Sequence, residues 1–259
     1  MFSTLAERFH TTPAAQLSRW GSGNRLHLWA DLLVVIVGTG LYGYALGSWR
    51  SAEMGLYVAV KLPMLILLTL GINGLLNGIL AQLLGSGLGF GQTFRAQLSS
   101  FTLFAIIVAA LSPVTLGMVW DAPSPDSPQA GRFHAIFLMS QSTVIAYAGV
   151  TANFRLLVTL EALCETVSIA RRVLFSWLAG NLFVGAQLSY MLRPFFGTPS
   201  LEVAFLREDA LRGNFYESIW RLSRYSLGPA GGVTFIALCF FVIMLCIAKL
   251  SQKPNQQKP

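Results

Sequence analysis

The chain has 259 residues, of which 54% are hydrophobic and only 11% charged, with a mean hydropathy of +0.60 and a formal net charge of +7. Soluble domains carry about 25% charged residues, so this chain has too little charge to cover a water-facing surface and is expected in a membrane. Its positive balance fits basic residues that flank membrane spans beside anionic headgroups, and nucleic acid is excluded as the expected partner.

Residues 1–20 place Phe2, Leu5, Ala6 and Phe9 at helical spacing, with Glu7 and Arg8 opposite. Residues 1–26 are therefore expected to be a cytoplasmic amphipathic segment lying on the membrane. Arg8, His10 and Arg19 interrupt any signal-peptide core, so the first span is expected to stay and act as its own signal. Thr11-Thr12-Pro13 restarts a short helical turn, and Gly21-Ser22-Gly23 forms a hinge before the first span, with Trp29 as an interfacial anchor.

Crossing a bilayer takes about 20 apolar residues. Six windows free of Asp, Glu, Lys and Arg reach or approach that length: 32–49, 62–94, 96–120, 133–154, 173–192 and 225–248. None alternates as barrel strands do. The expected fold is all-α: a polytopic membrane helical bundle of about six transmembrane helices over 27–249, followed by a cytoplasmic tail, 250–259.

The second window is too long for one span, and its helix is expected over about 57–84. A flexible turn follows, with glycines at 85, 87, 89 and 91. A phosphate cradle would need a strand before such a run, and none is expected here. Pro113 frees the carbonyl four residues earlier, which Ser112 or Thr115 can compensate. Residues 121–129 are a Pro/Ser/Asp-rich loop. The fourth span is expected to run on through 156–169 with Glu161 and Glu165 on one face, and Arg171-Arg172 opens the fifth.

The fifth connection, 193–224, holds five of the 18 Lys and Arg residues and four of the 11 Asp and Glu residues. Thr198 caps a helix with Pro199 at its first position and Glu202 in its first turn. Asn214-x-x-Glu217 is a variant capping box. Phe215, Ile219 and Leu222 share one face, and Glu217 can pair with Arg221. The segment is expected to be an amphipathic surface helix. Arg193, Pro194, Phe195, Arg207, Asn214, Phe215, Tyr216 and Glu217 form its candidate interaction surface, and Arg207, Arg212, Arg221 and Arg224 are able to meet lipid phosphates.

With six spans both termini share a side. That side holds ten basic residues: Arg8, Arg19, Arg25, Arg95, Arg155, Arg171, Arg172, Lys249, Lys253 and Lys258. The short connections opposite hold three, Arg50, Lys61 and Arg132, and the fifth connection raises that to eight. The termini are expected to be cytoplasmic.

Ionisable groups at bilayer depth are costly and often functional. Asp31 lies at the inner end of the first span, with Arg155, Arg171 or Arg172 as partner. Lys61 lies at the outer start of the second and Arg193 at the outer end of the fifth. All are expected near an interface, where they snorkel. Asn73 and Asn77, with Gly71, Gly74 and Gly78, form one small and polar stripe. Gln141, Asn153, Asn181 and Gln187 are expected to answer it by bonding across from other spans.

Catalytic patterns are absent: there is no H-E-x-x-H, no G-x-S-x-G and no intramembrane Asp pair. His10, His27 and His134 are far apart in sequence. Cys164, Cys239 and Cys246 include no C-x-x-C, and the last two are expected to be small packing residues. No cofactor, no metal and no enzymatic activity are expected.

Lys61-Leu62-Pro63 opening a span, Leu83-Leu84-Gly85 closing it and Ser112-Pro113 ending the next resemble the YIP (Rab-interacting) superfamily of membrane proteins. Gly185-x-Gln187, Leu192-Arg193-Pro194-Phe195 and Gly213-Asn214-Phe215-Tyr216-Glu217 resemble uncharacterised bacterial YIP-like proteins more particularly. The similarity covers about residues 45–225 and implies a multi-span helical bundle with a cytoplasmic N-terminus in the bacterial inner membrane. The Asp-Leu-Tyr-Gly-Pro signature is represented only by Asp31-Leu32-Leu33 and Leu41-Tyr42-Gly43, so GTPase binding is not part of what the resemblance implies here.

The expected function is a non-enzymatic inner-membrane protein that organises or scaffolds membrane or protein partners. The bilayer and a protein partner or second copy are its expected contacts, and 193–224 its recognition surface. The rival is a channel or transporter, in which Asn73, Asn77, Asn181 and Gln187 converge on a hydrated path. A membrane enzyme acting on lipids comes third.

Overall fold

The structure is a computed structural model and describes residues 25–197, 202–218, 220 and 234. Five helices follow one another: α1 (Arg25–Gly47), α2 (Ala52–Leu83), α3 (Phe90–Trp120), α4 (Ala130–Leu163) and α5 (Val167–Met191). All five are long and apolar enough to cross a membrane, and the chain is a multi-pass helical membrane protein. The sixth window, 225–248, lies outside the described residues except for position 234. So do the 1–20 segment with its hinge, the Thr198 and Pro199 helix start, the Ile219, Leu222 and Arg221 positions, and the tail.

Local chemistry sets most helix ends. Ser51 caps α2, its hydroxyl accepting from Met54 N at 3.0 Å, so α2 starts a turn and a half before the expected position 57. Thr166 caps α5 in the same way, accepting from Ile169 N at 3.2 Å. That cap, and the extended Cys164 before it, end the expected 156–169 extension at Leu163. The glycine turn is shorter than expected, because α3 already begins at Phe90 and takes in Gly91; Gln92 Oε1 accepts from Gly89 N at 3.0 Å. Gly85 and Gly87 both have φ of +70°, which favours glycine at the tight reversal. Pro63 and Pro113 sit inside continuous helices. Ser112 and Thr115 bond the carbonyls of Val108 and Leu111, which flank the one that Pro113 frees, rather than that carbonyl itself.

α2, α3, α4 and α5 form a ring in which each packs on the next and α5 returns to α2; α1 packs in the groove between α2 and α3. At 1.5 Å per residue α2 is about 48 Å long, so it projects from or tilts within a hydrocarbon layer about 30 Å thick. The α1 contact is made by glycine. A Cβ at Gly43 would stand 2.5 Å from Val58 O, one at Gly47 2.5 Å from Met54 O, and one at Gly38 2.8 Å from Ala105 O. Small residues let the backbones touch, and dispersion holds them where the hydrophobic effect has nothing to drive. Leu33, Leu41 and Trp29 lie exposed on α1, as a lipid-facing stripe does.

The core has three parts. Tyr42, Leu46, Met54, Val58, Leu62, Val108 and Ala148 gather near the α1–α2 turn. Val35, Leu70, Leu98 and Ala105 fill the middle. Ala81, Ala96, Leu156, Leu160, Val173 and Trp177 gather near the glycine turn with Cys164. Burial pushes the Cys164 thiol above its ordinary range. Its thiolate therefore forms at higher pH than that of a free thiol. With Cys239 and Cys246 replaced by serine, maleimide labelling of Cys164 should be slow at neutral pH. Its rate should still be climbing at a pH where free cysteine has levelled off; a rate matching free cysteine at every pH would contradict that burial.

Candidate functional site: a polar seam between α2 and α5

Lys61 stands two and a half turns into α2, is fully buried and does not snorkel. The expectation of an interfacial anchor is thus corrected. The reason is the chain that follows α5, which crosses the end of α2 and covers the ammonium. Lys61 Nζ donates to Pro194 O at 2.9 Å and lies 5.0 Å from the centre of the Phe205 ring. Tyr57 meets Phe205 edge-on, with ring centres 5.4 Å apart. Among the described residues no carboxylate pairs with Lys61.

Further along α2 come Thr69, Asn73 and Asn77, all buried and spaced by four. Such i, i+4 rows are ridges that wind about a helix, and a packed neighbour follows them. α5 does so here. Thr69 lies beside Gly185, and Trp177 Nε1 donates to the backbone carbonyl of Asn77 at 3.0 Å. A Cβ at Gly180 would stand 3.3 Å from Asn73 Oδ1 and 3.4 Å from Asn77 Oδ1, so both amides converge on the space that Gly180 leaves. α3 completes the third wall. Phe90 packs on Gly78 and Phe94 on Gly74, and this antiparallel register sets Thr93 level with Leu75, between Asn73 and Asn77, and Gln97 level with Gly71, half a turn before Asn73.

The cross-helix bonds expected of Asn73 and Asn77 are not made. Both amide atoms of Asn73, Asn77 and Gln97 are buried without a hydrogen-bond partner, as are Thr93 Oγ1 and Asn181 Oδ1. Each buried polar group left unmet costs about 1–3 kcal/mol, and buried amides in native proteins are normally satisfied by protein, water or ligand. Of the residues expected to answer them, Gln141 accepts from Tyr42 OH and Thr115 Oγ1 instead, at 2.9 and 3.0 Å. Asn153 donates to Gly149 O on its own helix. Gln187 accepts from Phe215 N at 3.1 Å, close to the end of α5. Gly71 leaves the stripe altogether, since nothing approaches its Cβ direction. Asp31 is half-buried on the second turn of α1, and Arg171 lies 4.0 Å from Glu161.

Over 202–214 the connection after α5 is a strap that holds no helix; the expected helix begins only after the Asn214 cap, over 215–218 and at 220 among the described residues. A straight helix presents one face, whereas this segment must reach both α2 and α5. It does so with turns closed by Ala210 N to Arg207 O and Arg212 N to Asp209 O, and with positive φ at Gly197 and Gly213. Arg193 is pinned three ways: to Asp209 at 2.8 Å, to Tyr190 O at 2.8 Å and over the Tyr190 ring at 3.7 Å. Phe195, Phe196 and Val203 pack on the core beside Met54 and Val58. Tyr216 stacks on Phe183 and donates to its carbonyl. Asn214 Oδ1 caps the helix that begins at 215 by accepting from Glu217 N at 2.8 Å, as expected. Of the candidate surface, then, Arg193, Pro194 and Phe195 hold the strap to the bundle, Phe215 meets α5 through its backbone N–H, and Tyr216 stays exposed although it stacks on Phe183. Arg207 is half-buried, and Asn214 and Glu217 stay exposed.

Thr93, Gln97, Trp177, Gly180 and Phe205 belong to the site without having been singled out in the sequence. The spacing of four between Thr93 and Gln97 inside an apolar run was a readable signal. The Pro194 carbonyl gave none, since any residue has one. Comparison with known protein families, with characterised proteins and with solved structures finds no match for this chain.

Proposed function

We propose that this is a non-enzymatic membrane protein whose α2–α5 seam passes a small polar solute or ion. The observation behind this is the set of buried, unpartnered amides of Asn73, Asn77 and Gln97 on two facing helices. Interhelical glue would have bonded them to one another, and a dry core would not contain them. The row of Lys61, Thr69, Asn73 and Asn77, broken by Leu65, rises about 24 Å along α2, most of a hydrocarbon layer about 30 Å thick. The count of basic residues favours cytoplasmic termini, and the YIP-like similarity a bacterial inner membrane; with both, the strap lies on the outer face. The test is solute-driven swelling of vesicles carrying the purified chain. Swelling above that of protein-free vesicles is expected, and Asn73→Leu/Asn77→Leu should remove it. Equal swelling with and without the protein for every small solute tried would refute the seam.

The strap favours a second reading, in which the protein organises a partner or a second copy, as the YIP-like similarity suggested. Leu206 and Leu211 are exposed on it between Glu208, Arg212 and Glu217. A photo-crosslinker at Leu211 should then trap a discrete partner in intact membranes, and Leu206→Ser should weaken that product; a crosslinker that captures lipid alone would end this reading.

A further inference from the structure

We infer that the seam selects small monovalent anions and that Lys61 is the selecting charge. The inference rests on the seam reading and goes beyond it by naming the solute class.

The sign of the charge decides. Lys61 is fully buried and has one carbonyl and the face of one aromatic ring for company. An ammonium carries three donors, and a buried charge without a counter-charge is held at a cost of several kcal/mol. Buried ionisable groups in membrane helices mark pathways or pair with an opposite charge. Here no carboxylate pairs with it among the described residues, and the half-buried Arg207 of the strap adds a second positive charge acting on it. A cation entering from this end meets repulsion from Lys61 at short range, in a medium where charges are poorly screened. An anion meets the missing counter-charge.

The rest of the seam suits the same solute. Below Lys61 come the unpartnered amides of Asn73, Asn77 and Gln97, each with two N–H donors, and the Thr93 hydroxyl, whereas the Thr69 hydroxyl already donates to Leu65 O. None of these carries negative charge. Amide and hydroxyl donors can replace the hydration shell of a small anion without binding it so tightly that it cannot leave, which is what conduction requires. The Pro194 carbonyl and the Phe205 ring lie over Nζ at the strap end of the seam.

The full chain, purified and reconstituted into neutral-lipid vesicles loaded with a halide-quenched dye, tests this with iodide as probe and valinomycin to carry the balancing potassium current. Iodide entry should exceed that of protein-free vesicles by at least about tenfold. Lys61→Met should remove the preference for iodide over choline, and Lys61→Arg should keep it. Folding of each variant is checked by its elution and thermal unfolding, and Val150→Ala, on the exposed face of α4 away from the seam, serves as the unaffected control. Glycerol or choline passing while iodide does not would overturn the anion assignment and leave the seam standing. Iodide entry unchanged in a folded Lys61→Met would overturn the role of Lys61. No passage of any probe would overturn the seam and the inference with it.

Discussion

Gly47→Leu is expected to separate α1 from α2 and to cost about 3 kcal/mol or more of stability. The neighbour is backbone, not a side chain that can swing away. A Cβ at position 47 would lie 2.5 Å from Met54 O and 2.7 Å from Met54 C, and one at Gly43 would lie 2.5 Å from Val58 O. Leucine adds three more carbons to the same spot. The helices must move apart, and every dispersion contact along the hairpin weakens together, with no hydrophobic drive to reseat them in lipid. The loss would be seen as a lowered unfolding temperature in mild detergent, and as a failed disulfide between cysteines placed across the α1–α2 contact. Gly71→Ala and Gly117→Ala are the internal controls, since nothing lies within 4 Å of either Cβ direction; both should be neutral or slightly stabilising through helix propensity. A Gly47→Leu protein that unfolds like the wild type would show that the hairpin does not pack this way.

Asn73→Leu/Asn77→Leu is expected to do the opposite to stability while ending solute passage. Leucine is close to asparagine in size and removes four buried polar atoms that have no partner. An unmet group costs about 1–3 kcal/mol, and replacing it by an apolar group of similar shape is neutral or stabilising. For a chain of this size each kcal/mol moves the unfolding temperature by about 2–4 °C, so a rise of several degrees is expected. Stability gained together with activity lost is the usual mark of a polar site kept for use. A double variant that unfolds earlier than the wild type would mean that these amides are bonded within the protein, and would favour a structural role for the stripe.

Much of the architecture was legible in the residues. Long windows without charge locate five of the helices, because a span in lipid must be apolar along its length and must satisfy its own backbone. Asn214 with Glu217 located a cap, because that bond is made within four residues. The helix start at Ala52 is less legible: Glu53 and Lys61 interrupt the apolar run, and only the Ser51 cap marks it. The helix that begins at 215 follows from its Asn214 cap, which is a local signal. The non-helical path of 202–214 has no such signal, because it is set by contacts of Arg193, Phe195, Tyr216 and Pro194 with helices already in place.

The sequence by itself determined the class, the spans and the polar positions at 61, 73 and 77, because composition and spacing are properties of the chain alone. Tertiary structure decided what those positions face. Lys61 is buried because Pro194, 133 residues away in sequence, lies over it. Asn73 and Asn77 stay unpartnered because α5 turns Gly180, and not an answering side chain, towards them. Spacing fixes which residues share a ridge, but only the packed neighbour fixes whether that ridge meets lipid, a partner group or an unfilled polar site.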